Sequence, residues 1–82
     1  MRVQQATVQR ILELAKEHNL TINALAEKSG VADSTLRLTV SPTYRRVKNT
    51  GIVTIQKLCQ GMGITLEQFF DSPLFKDIDP EP

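Results

Sequence analysis

Apolar residues along the chain recur at helical spacing. In the first segment Val8, Ile11, Leu12 and Ala15 fall at i, i+3, i+4 and i+7, while Gln9, Arg10, Glu13, Lys16 and Glu17 point elsewhere. This pattern predicts an amphipathic helix from about Gln4 to His18. Asn19 stops it, and Thr21 is placed to cap the next helix with its hydroxyl. A short second helix runs from about Ile22 to Ser29 with Leu25 and Ala26 inward, and Gly30 ends it in the left-handed conformation that glycine adopts cheaply.

A third helix begins near Asp33 and breaks at Ser41-Pro42, because a residue before proline is pushed out of helical geometry. A loop follows to about Thr50. The fourth helix, about Gly51 to Met62, carries Ile52, Ile55, Leu58, Cys59 and Met62 on one side and ends at Gly63. Thr65 then caps a short fifth helix, with Gln68 completing a capping box and Leu66, Phe69 and Phe70 inward. Ser72-Pro73 closes that helix. The expected architecture is all-α: a compact five-helix domain over residues 1–72, then a short, loosely attached acidic tail over 73–82.

Composition narrows the function. Of the 82 residues, 40% are apolar and 23% charged, which is ordinary globular material for a single domain. No apolar run approaches the roughly 20 residues of a bilayer crossing, and the first residues do not read as a signal peptide. A lone cysteine, Cys59, fits a reducing, cytoplasmic setting and reads as a small core residue. With one histidine and one thiol there is no zinc-ligand set, and no cofactor motif is present. So short a chain rarely supplies both a stable core and an enclosed pocket, so neither enzymatic activity nor a small-molecule substrate is expected.

The formal net charge of +1 hides an uneven distribution. Between Asp33 and Glu67 there is no acid, while Arg37, Arg45, Arg46, Lys48 and Lys57 are present; from Asp71 onward Asp77, Asp79 and Glu81 reverse the sign against Lys76 alone. A positive middle suits a polyanion partner, and equally a solvated loop.

Placement decides between these readings. Two short helices joined by a tight glycine-containing turn form a helix-turn-helix. The steep crossing needs a small residue, Ala26. The turn needs Gly30, Val31 plugs the core beneath it, and Leu36 anchors the second helix with help from Leu25. At this spacing the sequence resembles the lambda repressor and Cro type of DNA-binding domain. Thr54-Ile55-Gln56-Lys57-Leu58-Cys59 and Gly63-Ile64-Thr65-Leu66-Glu67-Gln68-Phe69-Phe70 extend the resemblance to that family's fourth and fifth helices, over about residues 4–71. Ile22, Ser29 and Thr39 depart from the family pattern. Ile22 stands where many relatives carry a bracing Gln, and the loop after the third helix is a few residues longer than usual.

Turning 100° per residue along the third helix gathers Leu36, Thr39 and Val40 on one side, with Ser34, Arg37, Leu38 and Ser41 opposite and Asp33 on the flank. The resemblance implies that this outer face enters the major groove. Arg37 is suited to guanine O6 and N7, and Ser34 to several base edges. Leu38 either packs on a thymine methyl or is partly buried. Asp33 either accepts from cytosine or stabilises the first helical turn through the dipole. Phosphate contacts are expected from Thr21, Arg45, Arg46, Lys48 and Thr50.

The expected function is sequence-specific binding of double-stranded DNA by a small bacterial or phage transcriptional repressor. The resemblance implies a homodimer on a paired site, with Val53 or the Phe75/Ile78 tail as interface. The alternative is a protein-interaction adaptor or antitoxin component built on the same fold.

Overall fold

The structure, a computed structural model, describes residues 1–41 and 49–82. Those residues form five helices: α1 (Val3–Glu17), α2 (Ile22–Ser29), α3 (Asp33–Val40), α4 (Ile52–Met62) and α5 (Leu66–Phe70). A 3-10 turn over Pro73–Phe75 follows, and no strand occurs among the described residues. The all-α expectation holds, and the local stop signals act where the sequence places them. Gly30 and Gly63 sit at φ 68° and 70°, and Thr21 Oγ1 accepts from the Ala24 N–H at 3.1 Å. Thr65 and Gln68 exchange bonds of 2.8 and 3.0 Å across the start of α5. Asn19 takes a left-handed φ of 55° after α1, and Leu20 N–H closes the turn on the Ala15 carbonyl at 2.8 Å.

The core is a single cluster to which every helix contributes: Ile11, Leu14 and Ala15 from α1, Leu25 and Ala26 from α2, Leu36 from α3, Ile55, Leu58, Cys59 and Met62 from α4, and Phe69 from α5. α2 and α4 share the most extensive contact between described helices. A Cβ on Gly61 would fall inside van der Waals contact of Ser29 Oγ and only 3.0 Å from Ser29 N. Ser29 Oγ, buried in this crossing, has no hydrogen-bond partner among the described residues.

Three inward assignments change. α1 buries Ala6, Thr7, Arg10, Ile11, Leu14 and Ala15, while Leu12 is 42% exposed. Its buried stripe is therefore rotated by about one residue, roughly 100°, from the one expected. Arg10 lies on this rotated stripe beside the apolar Ala6 and Leu14. Read as a surface residue, it is only 9% exposed and reaches over the C-terminal end of α5. There Nε donates to the Phe69 carbonyl at 2.6 Å and Nη2 to the Gln68 and Asp71 carbonyls at 2.8 and 3.5 Å, while Nη1 pairs with Glu13. A helix C-terminus exposes orphan carbonyls and a partial negative charge, and the guanidinium satisfies both. Ile52, at the first position of α4, is 58% exposed rather than inward, because the core begins one turn later at Ile55. Phe70 also lies outward, its ring edge-on to Phe69 at 5.0 Å and to Phe75 at 5.1 Å.

The acidic tail is docked rather than loose. Phe75 packs on the core beside those two rings, and Ser72 Oγ caps the 3-10 turn by accepting from Leu74 N–H at 3.2 Å. Further on, Asp79 N–H bonds the Met1 carbonyl at 3.0 Å and Arg2 pairs with Glu81 at 2.9 Å.

Candidate nucleic-acid interface

The helix-turn-helix is assembled as its side-chain sizes require. Ala26 lies wholly inside the crossing of α2 with its neighbours, and Val31 covers the core under the turn. Leu36 is completely buried and pins the inner side of α3. Thr39, on the same side, satisfies its hydroxyl by donating to the Thr35 carbonyl at 2.9 Å, which lets a polar residue stand at an inward position.

With Leu36 fixed inside, α3 turns Ser34, Arg37 and Leu38 to solvent. Leu38 is 47% exposed, which leaves it available to an apolar partner such as a thymine methyl. Ser41 is half-buried at the end of the helix, its N–H bonded to the Leu38 carbonyl at 3.3 Å. Asp33 stands half-buried on the flank. Its Oδ2 accepts from Arg37 Nε at 2.6 Å, and its Oδ1 accepts from Asn23 Nδ2, on α2, at 3.1 Å. The hydrogen bond from the Arg37 guanidinium holds the Asp33 carboxyl below the usual carboxylate range; partial desolvation opposes this and Asn23 reinforces it.

The flanking residues divide. Thr21 is exposed, and its oxygen is occupied as the α2 cap, which leaves its hydroxyl hydrogen to donate. Thr50 is half-buried and clamped by one side chain: its N–H donates to Gln4 Oε1 at 2.7 Å and its hydroxyl accepts from Gln4 Nε2 at 2.8 Å. Its backbone N–H is thus already bonded, and only its hydroxyl hydrogen remains for a phosphate. Arg45, Arg46 and Lys48 lie outside the described residues. Asn23 and Gln4 were not singled out by sequence. Their partners, Asp33 on α3 and Thr50 just before α4, lie 10 and 46 positions away, so no local pattern marks them.

Among the described residues no three His, Cys, Asp or Glu side chains come together as a metal site. No helix among them is long and apolar enough to cross a membrane.

A small buried crossing residue, a left-handed turn glycine, a wholly buried anchor and an exposed second helix together define a helix-turn-helix DNA-binding unit. The family profile of the Cro/C1-type helix-turn-helix DNA-binding domain matches residues 10–73, and the chain belongs to that family. Among solved structures, the crystal structure of the prophage Lp1 protein 11 is similar. It is 32% identical, with a TM-score of 0.77 over 95% of this chain and 100% of that one. No curated protein sequence matches the chain.

Proposed function

We propose that this DNA-binding domain acts as a cytoplasmic transcriptional repressor, laying α3 in the major groove of a specific duplex site. The observation that carries the proposal is the division of α3 into a wholly buried Leu36 and an outer face of Ser34, Arg37 and Leu38 open to solvent. In this reading Arg37, Ser34, Leu38 and Ser41 face base edges, with Asp33 beside them. Thr21, Thr50, Arg45, Arg46 and Lys48 face phosphates on either side. Residues 1–72 carry recognition, and 73–82 form an acidic strap on the side of α1. Two copies bind a pseudo-palindromic site, where occupancy blocks transcription. Val53, 62% exposed on α4, is free to meet a second copy, whereas Phe75 is largely engaged within its own chain.

The test is a fluorescence-anisotropy titration with random duplex DNA at low and moderate salt. Neutralising about four phosphates gives a log–log salt slope of about −3 to −4. Failure to bind at any salt refutes the proposal and favours the adaptor. A reporter carrying the selected site then distinguishes repression from activation.

A further inference from the structure

Asn23, Asp33 and Arg37 form a continuous chain of hydrogen bonds across the outer side of the helix-turn-helix, running from α2 to the outer face of α3. The carboxylate divides its two oxygens between two helices: Oδ1 takes the Asn23 amide from α2 and Oδ2 takes Arg37 Nε within α3. A carboxylate held at one oxygen only can still swing about its terminal torsion. Held at both, its plane is restrained relative to α2, which is itself set by the buried Leu25 and Ala26.

The consequence falls on the guanidinium. Arginine can present two different donor pairs to a planar acceptor: the side pair that includes Nε, and the end pair Nη1 and Nη2. Asp33 occupies Nε. The end pair carries no hydrogen bond among the described residues, and the Arg37 side chain is 60% exposed. We propose that Asn23 and Asp33 are positioning residues that commit Arg37 to read one guanine end-on, Nη1 and Nη2 against O6 and N7. Discrimination at that base pair then depends on an α2 side chain that touches no base. The proposal rests on the DNA-binding reading above and adds to it the base, the donor pair and the two residues that select them. A long flexible side chain is ordered before binding, so less of its freedom is lost on meeting the base.

The experiment selects duplexes from a random pool with the wild-type chain and with N23A, D33A and R37A. Anisotropy titrations then compare the selected site, its single-base variants and random duplex, and a thermal melt of each variant verifies folding. The wild-type pool is expected to hold a guanine at one position that R37A abandons. N23A, which changes no charge, should bind random duplex as the wild type does while its preference for that guanine falls by about tenfold, within the range of a bidentate base contact. D33A should bind random duplex more tightly, having lost a negative charge, with the same loss of preference. A merely structural role for Asn23 or Asp33 would weaken all sequences together and lower the melting temperature.

Unchanged guanine preference in both folded variants N23A and D33A overturns the proposal. So does a wild-type pool without a guanine that depends on Arg37, and in that case DNA binding itself still stands. Absence of any salt-dependent binding by the wild type removes the DNA-binding reading and this inference with it.

Discussion

Asp33 and Arg37 lie one turn apart on α3, and the arginine Nε donates to the carboxylate at 2.6 Å on the exposed side of the helix. The residue best suited to read guanine is therefore already paired before any DNA arrives, through the one nitrogen that end-on recognition does not use.

Replacing Arg37 by Ala is expected to lower discrimination between the preferred duplex and its guanine variants by about 1–3 kcal/mol while leaving affinity for random duplex only slightly reduced. Competition titrations measure both quantities. An equal loss on every sequence would reassign Arg37 to the phosphate backbone.

The same pair makes a prediction about pH. Asp33 binds its proton less readily in the folded chain than in the unfolded one. The pair's stabilisation is therefore fully present above the unfolded aspartate value of about 3.9 and disappears as pH falls through the lower folded value. A carbon-detected NMR titration should place the Asp33 carboxyl below an unfolded aspartate, and R37A should move it back up. Because the pair is exposed, added salt should narrow the difference. A wild-type value that R37A leaves in place would contradict the pairing.

At the crossing of α2 and α4, G61A should destabilise the chain by about 1–3 kcal/mol in urea denaturation, because the new methyl meets Ser29 and its backbone. S29A alone removes a buried hydroxyl that has no partner among the described residues and should be neutral or stabilising. The double variant should lose less than G61A alone, since only the backbone contacts at 3.0 and 3.1 Å remain. Strict additivity would show that the hydroxyl is not the obstacle.

R10A strips the donors from the carbonyls of Phe69 and Gln68 and should cost about 2–3 kcal/mol. R10K retains the charge without the planar fork and should recover only part of this. Full recovery would mean that charge against the α5 terminus, rather than the paired donors, is what counts.

F75A removes the ring that covers Phe70 and the edge of Phe69, and should cost about 1–2 kcal/mol by thermal melt, as expected for half-burial of an aromatic. An unchanged melting temperature would show the tail to be detachable.

What the sequence made legible follows the range of the interactions concerned. Helix limits were readable because their causes are neighbours in the chain: Thr21 and Ala24, Thr65 and Gln68, and glycines at 30 and 63 whose backbone geometry is a property of the residue itself. The helix-turn-helix was readable because Ala26, Gly30, Val31 and Leu36 each meet a steric demand at a fixed spacing. The inner face of α1 is only partly legible, because Ala6 and Leu14 compete with Val8 and Leu12 as apolar positions at helical spacing and Arg10 counts as polar in any periodicity. Only the open end of α5, some 60 positions away, gives it a reason to be buried. Asn23 with Asp33 and Gln4 with Thr50 share that difficulty, since each pairing exists only once the helices have crossed.

The Gln4–Thr50 clamp closes the chain into a ring that contains the whole of α2 and α3. Its fastening is one amide gripping one threonine by two bonds, at the threshold of α4. Tension applied to the recognition rod by a bound duplex would be shared between this latch and the oily interior. Unfastening it would slacken the rod's mounting while the interior stayed shut.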